Sequence, residues 1–256
     1  MRIFYAGDGH VGGAADYLLG ILRSLRAEVT HVPPSAIVRP QHLRRRYDAI
    51  LFSDQPRIRV PHTAQQAVAQ QVADGAGLLM IGGWASFSGP FGGWRGSLIE
   101  SLLPVTCDVA DDRRPFPGGA LVIPMQRHPL FRTISFRQPP MICGLNAVHP
   151  KPRSLVLLGA RAVISHRLTS TRPLRLSLSP ITYPLLVIDS RPLTRIAALT
   201  TDVAPHWCGG FVDWGSRRRI LPVTRGIRIE VGDRYVQLLT ALLRWLTTSG
   251  SRTRIE

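Results

Sequence analysis

Four consecutive apolar residues, Leu78, Leu79, Met80 and Ile81, stand between Gly77 and the pair Gly82-Gly83. A short apolar run closed by glycines fits a strand that is buried on both faces and ends abruptly in a tight turn. Upstream, similar runs alternate with stretches of helical period. Residues 2–6 read as a strand, followed by Gly7-Asp8-Gly9-His10 and Val11-Gly12-Gly13. Ala14, Leu18, Ile21 or Leu22, and Leu25 then recur on one helix face. Residues 28–32 form a second strand, stopped by Pro33-Pro34 because proline cannot donate to a ladder. Residues 48–53 form a third, with Ser53-Asp54 at its carboxyl end. Ala64, Val68 and Val72 predict a helix over 63–74 that leads into the Gly77 strand. Strands alternating with helices in this way predict an α/β fold with a parallel sheet covered on both faces.

Beyond the glycine pair the pattern loosens. A helix over 94–103 ends before Pro104. Residues 104–180 carry prolines, arginines and short apolar runs at 121–123, 141–148 and 155–158, which suit antiparallel strands and long connections better than further β-α units. Residues 165–178 read as a surface hairpin or loop. Regular strands return at 185–188 and 195–201, and the second runs into Thr201-Asp202-Val203-Ala204-Pro205-His206-Trp207-Cys208. Val236, Leu239, Leu242 or Leu243, and Leu246 give a closing helix over 235–246, and residues 249–256 should fray.

Length and composition narrow this picture. A chain of 256 residues can bury a large core, and a single domain over 1–256 with an irregular insertion at about 104–184 is expected. No apolar run approaches the ~20 residues of a membrane span. The amino terminus turns polar too early for a signal peptide, so a cytoplasmic protein without membrane contact is expected. The three cysteines, Cys107, Cys143 and Cys208, lack metal-ligand spacing and are read as reduced thiols. The net charge of +16 raises the question of nucleic acid, but Lys151 is the only lysine and the arginines are spread along the whole chain. The runs Arg44-Arg45-Arg46 and Arg217-Arg218-Arg219 have no interleaved aromatic residues, so a solvated basic surface is expected rather than a nucleic-acid site.

In open α/β sheets ligands bind beyond the carboxyl ends of the strands. That edge should gather Asp8 and His10, Ser53 and Asp54, Gly82 to Ser86, and Asp202 to Cys208. Gly82 and Gly83 would let a ligand approach main-chain N–H groups, with Trp84 and Trp207 as aromatic walls and Asp8, Ser53 and Asp54 as polar contacts. The catalytic candidates are His206 as acid or base, Asp202 to orient it, and Ser86 as a nucleophile, although no serine lies in a Gly-x-Ser-x-Gly elbow. Purely structural roles for His206 and Trp207 are the plainer alternative. Neither a zinc clip nor a phosphate-binding loop is present in the sequence, so no metal and no cofactor are expected.

Residues 75–87, Asp202 to Trp207 and Phe211-Val212-Asp213-Trp214-Gly215 resemble the glutamine amidotransferase-like proteins, bacterial cytoplasmic relatives of the class I glutamine amidotransferases. The resemblance extends through Tyr47-Asp48-Ala49-Ile50, His128-Pro129, Lys151-Pro152, Gly232-Asp233-Arg234-Tyr235 and Trp245. It implies a flavodoxin-like three-layer sandwich, with a mostly parallel central sheet and a partly antiparallel middle insertion. Class I glutaminases need a cysteine on the elbow after the central strand, then a histidine and a glutamate two residues beyond it. Here the elbow reads Gly82-Gly83-Trp84, and Cys208 stands where the glutamate would follow His206. A thiol cannot orient an imidazolium as a carboxylate does, so the usual glutamine hydrolysis is not expected. A small polar ligand in the strand-end crevice is expected instead. The alternatives are a hydrolase using His206 and a non-enzymatic interaction module, including a homo-oligomer.

Overall fold

The computed structural model describes residues 1–9, 11–166, 174–191, 194–224 and 226–248. In chain order the elements are β1 (Arg2–Gly7), α1 (Ala15–Ser24), β2 (Glu28–Val32), β3 (Ala49–Ser53), α2 (His62–Ala73), β4 (Gly77–Ile81), α3 (Leu98–Leu102), β5 (Val105–Cys107), β6 (Arg113–Pro124), β7 (Met141–Asn146), β8 (Val148–Pro150), β9 (Ser154–His166), β10 (Arg175–Leu178), β11 (Tyr183–Asp189), β12 (Ile196–Leu199), α4 (Pro205–Cys208), β13 (Arg218–Thr224), β14 (Ile227–Gly232) and α5 (Asp233–Thr247).

Ten strands join one sheet, in the order β2-β1-β3-β4-β12-β11-β9-β6-β7, with β10 paired to β9. The pairs from β2 to β12 are parallel, as the βα alternation predicts. From β12 onward every pair is antiparallel. Residues 104–184 therefore supply β6, β7, β9 and β10, which extend the same sheet, and the two-stranded β5–β8 pair. They are more regular than their proline content suggested, since β6 and β9 run for 12 and 13 residues. The stretch 165–178, expected as a hairpin or loop, takes part in the β9–β10 pairing at its two ends, and residues 167–173 lie outside the described residues. The carboxyl-terminal stretch 249–256 lies outside them too.

The sheet alternates its side chains between two cores. Ile3, Tyr5, Leu51 and Leu79 face α1 and α5, whereas Phe4, Ala6, Ile50, Phe52, Leu78 and Met80 face the α2 side. The strands β3 and β4 are buried along their whole length, as expected for parallel strands covered on both faces. Together the sheet and its two helical layers form the flavodoxin-like three-layer sandwich. The helix expected over 94–103 is shorter, because Gly93 and Gly96 take φ of 65° and 70° and the first turn begins only at Ser97. The Ser97 hydroxyl caps that turn by accepting from the Glu100 N–H at 3.0 Å. The sequence pattern did not foretell the β13–β14 hairpin, which packs on α1. Among the described residues, no helix is long and apolar enough to cross a membrane.

Candidate functional site

Four parallel strands end in register. Gly7 pairs with Ser53, Ser53 with Ile81, and Leu199 with Ile81. The next residues of these strands are Asp8, Asp54, Gly82 and Thr200, and they form one edge. Asp8 and Asp54 both leave their strands in the left-handed region, at φ of 54° and 49°. Aspartate is among the few non-glycine residues that visit this region readily, and such conformations concentrate at functional sites. The charge of Asp202, in the loop after β12, acts on both carboxylates. His10, which the sequence placed nearby, lies outside the described residues.

The three carboxylates are unequal. Asp8 is 4% exposed and accepts from the Tyr5 hydroxyl at 2.6 Å. Burial pushes its carboxyl well above the usual range, and the charges of Asp202 and Asp54 add to the rise. The buried Ser53 hydroxyl has no well-formed hydrogen bond, and its proximity to Asp8 opposes that rise. Asp54 is raised by burial and by Asp202, while the Ala85 N–H, donating at 2.5 Å, and the charge of His206 pull it down. Asp202 is 1% exposed, and its Oδ1 accepts from the N–H groups of Val203 and Ala204 at 2.6 and 2.9 Å. Its Oδ2 lies 3.0 Å from His206 Nε2. The imidazole, whose side chain is 55% exposed, is held above its ordinary pKa first by that hydrogen bond and then by the charges of Asp202, Asp54 and Asp8; burial acts the other way. The structure thus gathers Asp8, Asp54, Asp202 and His206, with His206 at the solvent side.

The elbow itself is fastened by the protein. Gly82 N–H donates to Leu199 O at 2.7 Å and to Thr201 O at 3.1 Å. Gly83 N–H donates to Asn146 Oδ1 at 2.9 Å, and Asn146 Nδ2 donates to Gly83 O at 3.2 Å. These two N–H groups, expected from the sequence to face a ligand, already have protein acceptors. The glycines are needed for a different reason: a Cβ on Gly82 would lie 2.1 Å from Thr200 O, and one on Gly83, where φ is 156°, would lie 2.4 Å from Asp54 Oδ1. The Trp84 N–H has no acceptor among the described residues. Ser86 is 1% exposed; its hydroxyl donates to Ile81 O at 2.5 Å and accepts from the Asp54 N–H at 3.1 Å, tying the ends of β3 and β4 together. Trp84 is 46% exposed, with the Arg113 guanidinium 4.3 Å from its ring centre. Trp207 is buried and packs on Gly144 of β7, where an added Cβ would meet its indole nitrogen at 2.9 Å.

Sequence reasoning missed the residues that reach this edge from elsewhere. Asn146 carries the elbow and donates to Asp112 Oδ1 at 2.7 Å, while Asp112 Oδ2 accepts from the Ser88 N–H at 2.8 Å. Burial raises Asp112 to about 6 against those two donors. Tyr235 of α5 donates to Val203 O at 2.7 Å, anchoring the Asp202 loop. Asn146 left one signal, a polar residue inside the apolar run 141–148; Asp112 left none. Among the described residues no three His, Cys, Asp or Glu side chains are placed to hold a metal ion.

Known proteins can now be set beside this geometry. Two cytoplasmic proteins from Salmonella typhimurium superpose on the chain with TM-scores of 0.69 and 0.67, at 21% and 22% identity. Each superposition covers 96% of this chain, with 98% and 99% of the other, and shows a shared fold. No curated protein matches. Residues 6–223, from the end of β1 into the β13 hairpin, match the family described as "Putative glutamine amidotransferase", and the chain belongs to that family.

Proposed function

We propose that this member of the family does not run the Cys–His–Glu glutaminase reaction and instead binds a small polar ligand in the strand-end crevice. The elbow residues Gly82-Gly83-Trp84 include no cysteine, the nucleophile that reaction needs. Of the thiols, Cys107 and Cys208 are buried and pushed upward by burial, and Cys143 lies on β7. A thiol raised in this way is a poor nucleophile.

The observation that carries the reading is the carboxylate cluster with His206 at its mouth. His206 and Trp84 are exposed and Asp54 is half-buried, while Asp8 and Asp202 are buried. The carboxylates favour N–H and O–H donors on a ligand and the His206 imidazolium favours an acceptor, which an amide or a sugar supplies together. The two Salmonella proteins are cytoplasmic by name, and we place this chain in the same compartment.

A thermal-shift screen against amino acids, amides, sugars and nucleotides tests the reading, repeated with His206→Ala and Trp84→Ala. A ligand at a hundredfold excess over its Kd raises stability by about 2.7 kcal/mol. The expected result is a hit that both substitutions abolish. No hit in any class, or a hit indifferent to both, overturns the reading and leaves the interaction module.

One observation favours a second reading. Asp202 holds His206 as a carboxylate orients a catalytic imidazole, which would let it act on a bound ligand or water as acid or base. In that case the compound found in the screen is turned over, and His206→Ala removes turnover while the protein stays folded. Turnover unchanged in that variant excludes the role.

A further inference from the structure

A concavity bordering the β3–α2 connection shares no lining residue with the carboxylate cluster. It measures about 760 Å³ and lies between the 3₁₀ turn Arg57–Arg59, the start of α2 and the loop at residues 90–93. That volume falls within the range of small-molecule sites, roughly 300–1,000 Å³. Its walls are of two kinds. Ile58 and Phe91 are apolar yet 87% and 65% exposed, whereas Arg57, Arg59 and His62 are basic. No described carboxylate pairs with either arginine.

Two features border the space between them. The twelve-residue α2 begins at His62 behind Pro61, with no side-chain cap and no acidic residue in its first turn. The His62 and Thr63 N–H groups have no acceptor among the described residues, so the positive end of the helix is unanswered. Independently, Gln65 lines the concavity and is 2% exposed, with its Nε2 donating to Val60 O at 2.9 Å and its Oε1 buried without a partner. Buried polar atoms are nearly always hydrogen-bonded, so an orphan acceptor at a cavity wall marks a place for a donor.

We infer that this concavity binds a small organic anion carrying an apolar body, its charged oxygens on the α2 amino terminus and the Arg57 and Arg59 guanidiniums. The apolar part lies against Ile58 and Phe91. A hydroxyl of the anion, as in a protonated phosphate ester, donates to Gln65 Oε1. Helix amino termini and arginines both bind such oxygens, and here they line one volume.

Phenyl phosphate titrated into the ¹⁵N-labelled full chain tests this, with benzoate and phenol as companion probes. The expected result is saturable shifts of the His62 and Thr63 amides and of the Gln65 side-chain amide with phenyl phosphate. Replacing Arg57 and Arg59 by alanine, both exposed and outside either core, weakens binding by about tenfold or more, the equivalent of one strong charge-assisted contact. Gln65→Leu weakens phenyl phosphate more than benzoate, because benzoate has no hydroxyl to donate. His206→Ala binds all probes as the parent does, which keeps this site distinct from the crevice. Phenol binding as tightly as phenyl phosphate, shifts that ignore the arginine substitutions, or no saturable shift at those amides would each overturn the assignment.

Discussion

Asp202 and His206 give the sharpest prediction at the scale of single residues. The imidazole is held above its ordinary pKa chiefly by the Asp202 carboxylate. Its raised folded value means that the protonated pair stabilises the native state fully below the unfolded value of about 6.5, and that this contribution is lost as pH rises through the folded pKa. In an NMR titration, His206 should titrate above 6.5 in the parent and fall back toward that value in Asp202→Asn; an unchanged midpoint would show that the pair is not the cause. Asp112, bonded to the elbow residue Asn146, has a linkage of the same sign. Its folded value of about 6 lies above that of a free carboxylate, so the folded state holds its proton more tightly and gains stability as pH falls through 6. These residues also divide what was legible. Asp8, Asp54 and Asp202 could be found because each lies at or just beyond the carboxyl end of an apolar strand. Asn146 and Asp112 could not, because they act on the elbow from positions 63 and 24 residues away from their partners.

At the scale of elements, the hairpin on α1 shows how a tertiary contact chooses a residue that helix propensity would reject. Glycine inside a helix is less favourable than alanine by about 1 kcal/mol. Gly20 is nevertheless there, because an added Cβ would meet Ile229 Cδ1 at 3.1 Å and Leu221 Cβ at 3.2 Å. The side chains of β13 and β14 occupy the place where its own would be. Gly20→Val should therefore destabilise the protein by about 1–3 kcal/mol despite adding apolar volume, because it overpacks this seam. Denaturant unfolding measures it, and a stability equal to the parent would mean that the hairpin rides loosely on the helix. The amphipathic spacing of α1 was readable from Ala14 to Leu25, but the partner covering it was not, since a helical period reports a buried face and not what buries it.

For the molecule as a whole, the question is its charge of +16. Several arginines are paired locally: Arg45 with Glu28, Arg113 with Asp111, Arg191 with Asp189, and Arg218 with Asp213. The arginines are spread along the whole sequence. We expect duplex DNA to bind only in the nonspecific range, roughly 10⁻⁴ to 10⁻⁶ M, and to be released as salt is raised. A salt titration with fluorescent duplex checks this; nanomolar affinity at physiological salt would mean that the folded surface gathers arginines which the sequence shows as scattered.

The sequence by itself determined the parallel half of the sheet, the helices that cover it and the edge at which Asp8, Asp54, Gly82 and Asp202 meet. Each of these follows from a local period and from the short right-handed connections that link successive parallel strands. The tertiary structure alone decided the rest. In the antiparallel half, β9 lies between β6 and β11, and an apolar run states that a strand is buried without naming its neighbours. At the elbow, chains distant in sequence took up the Gly82 and Gly83 N–H groups, leaving Trp84 and His206 to face solvent. Hydrogen-bond partners of that kind are fixed by which backbones approach within 3 Å, and that is a property of the packed fold.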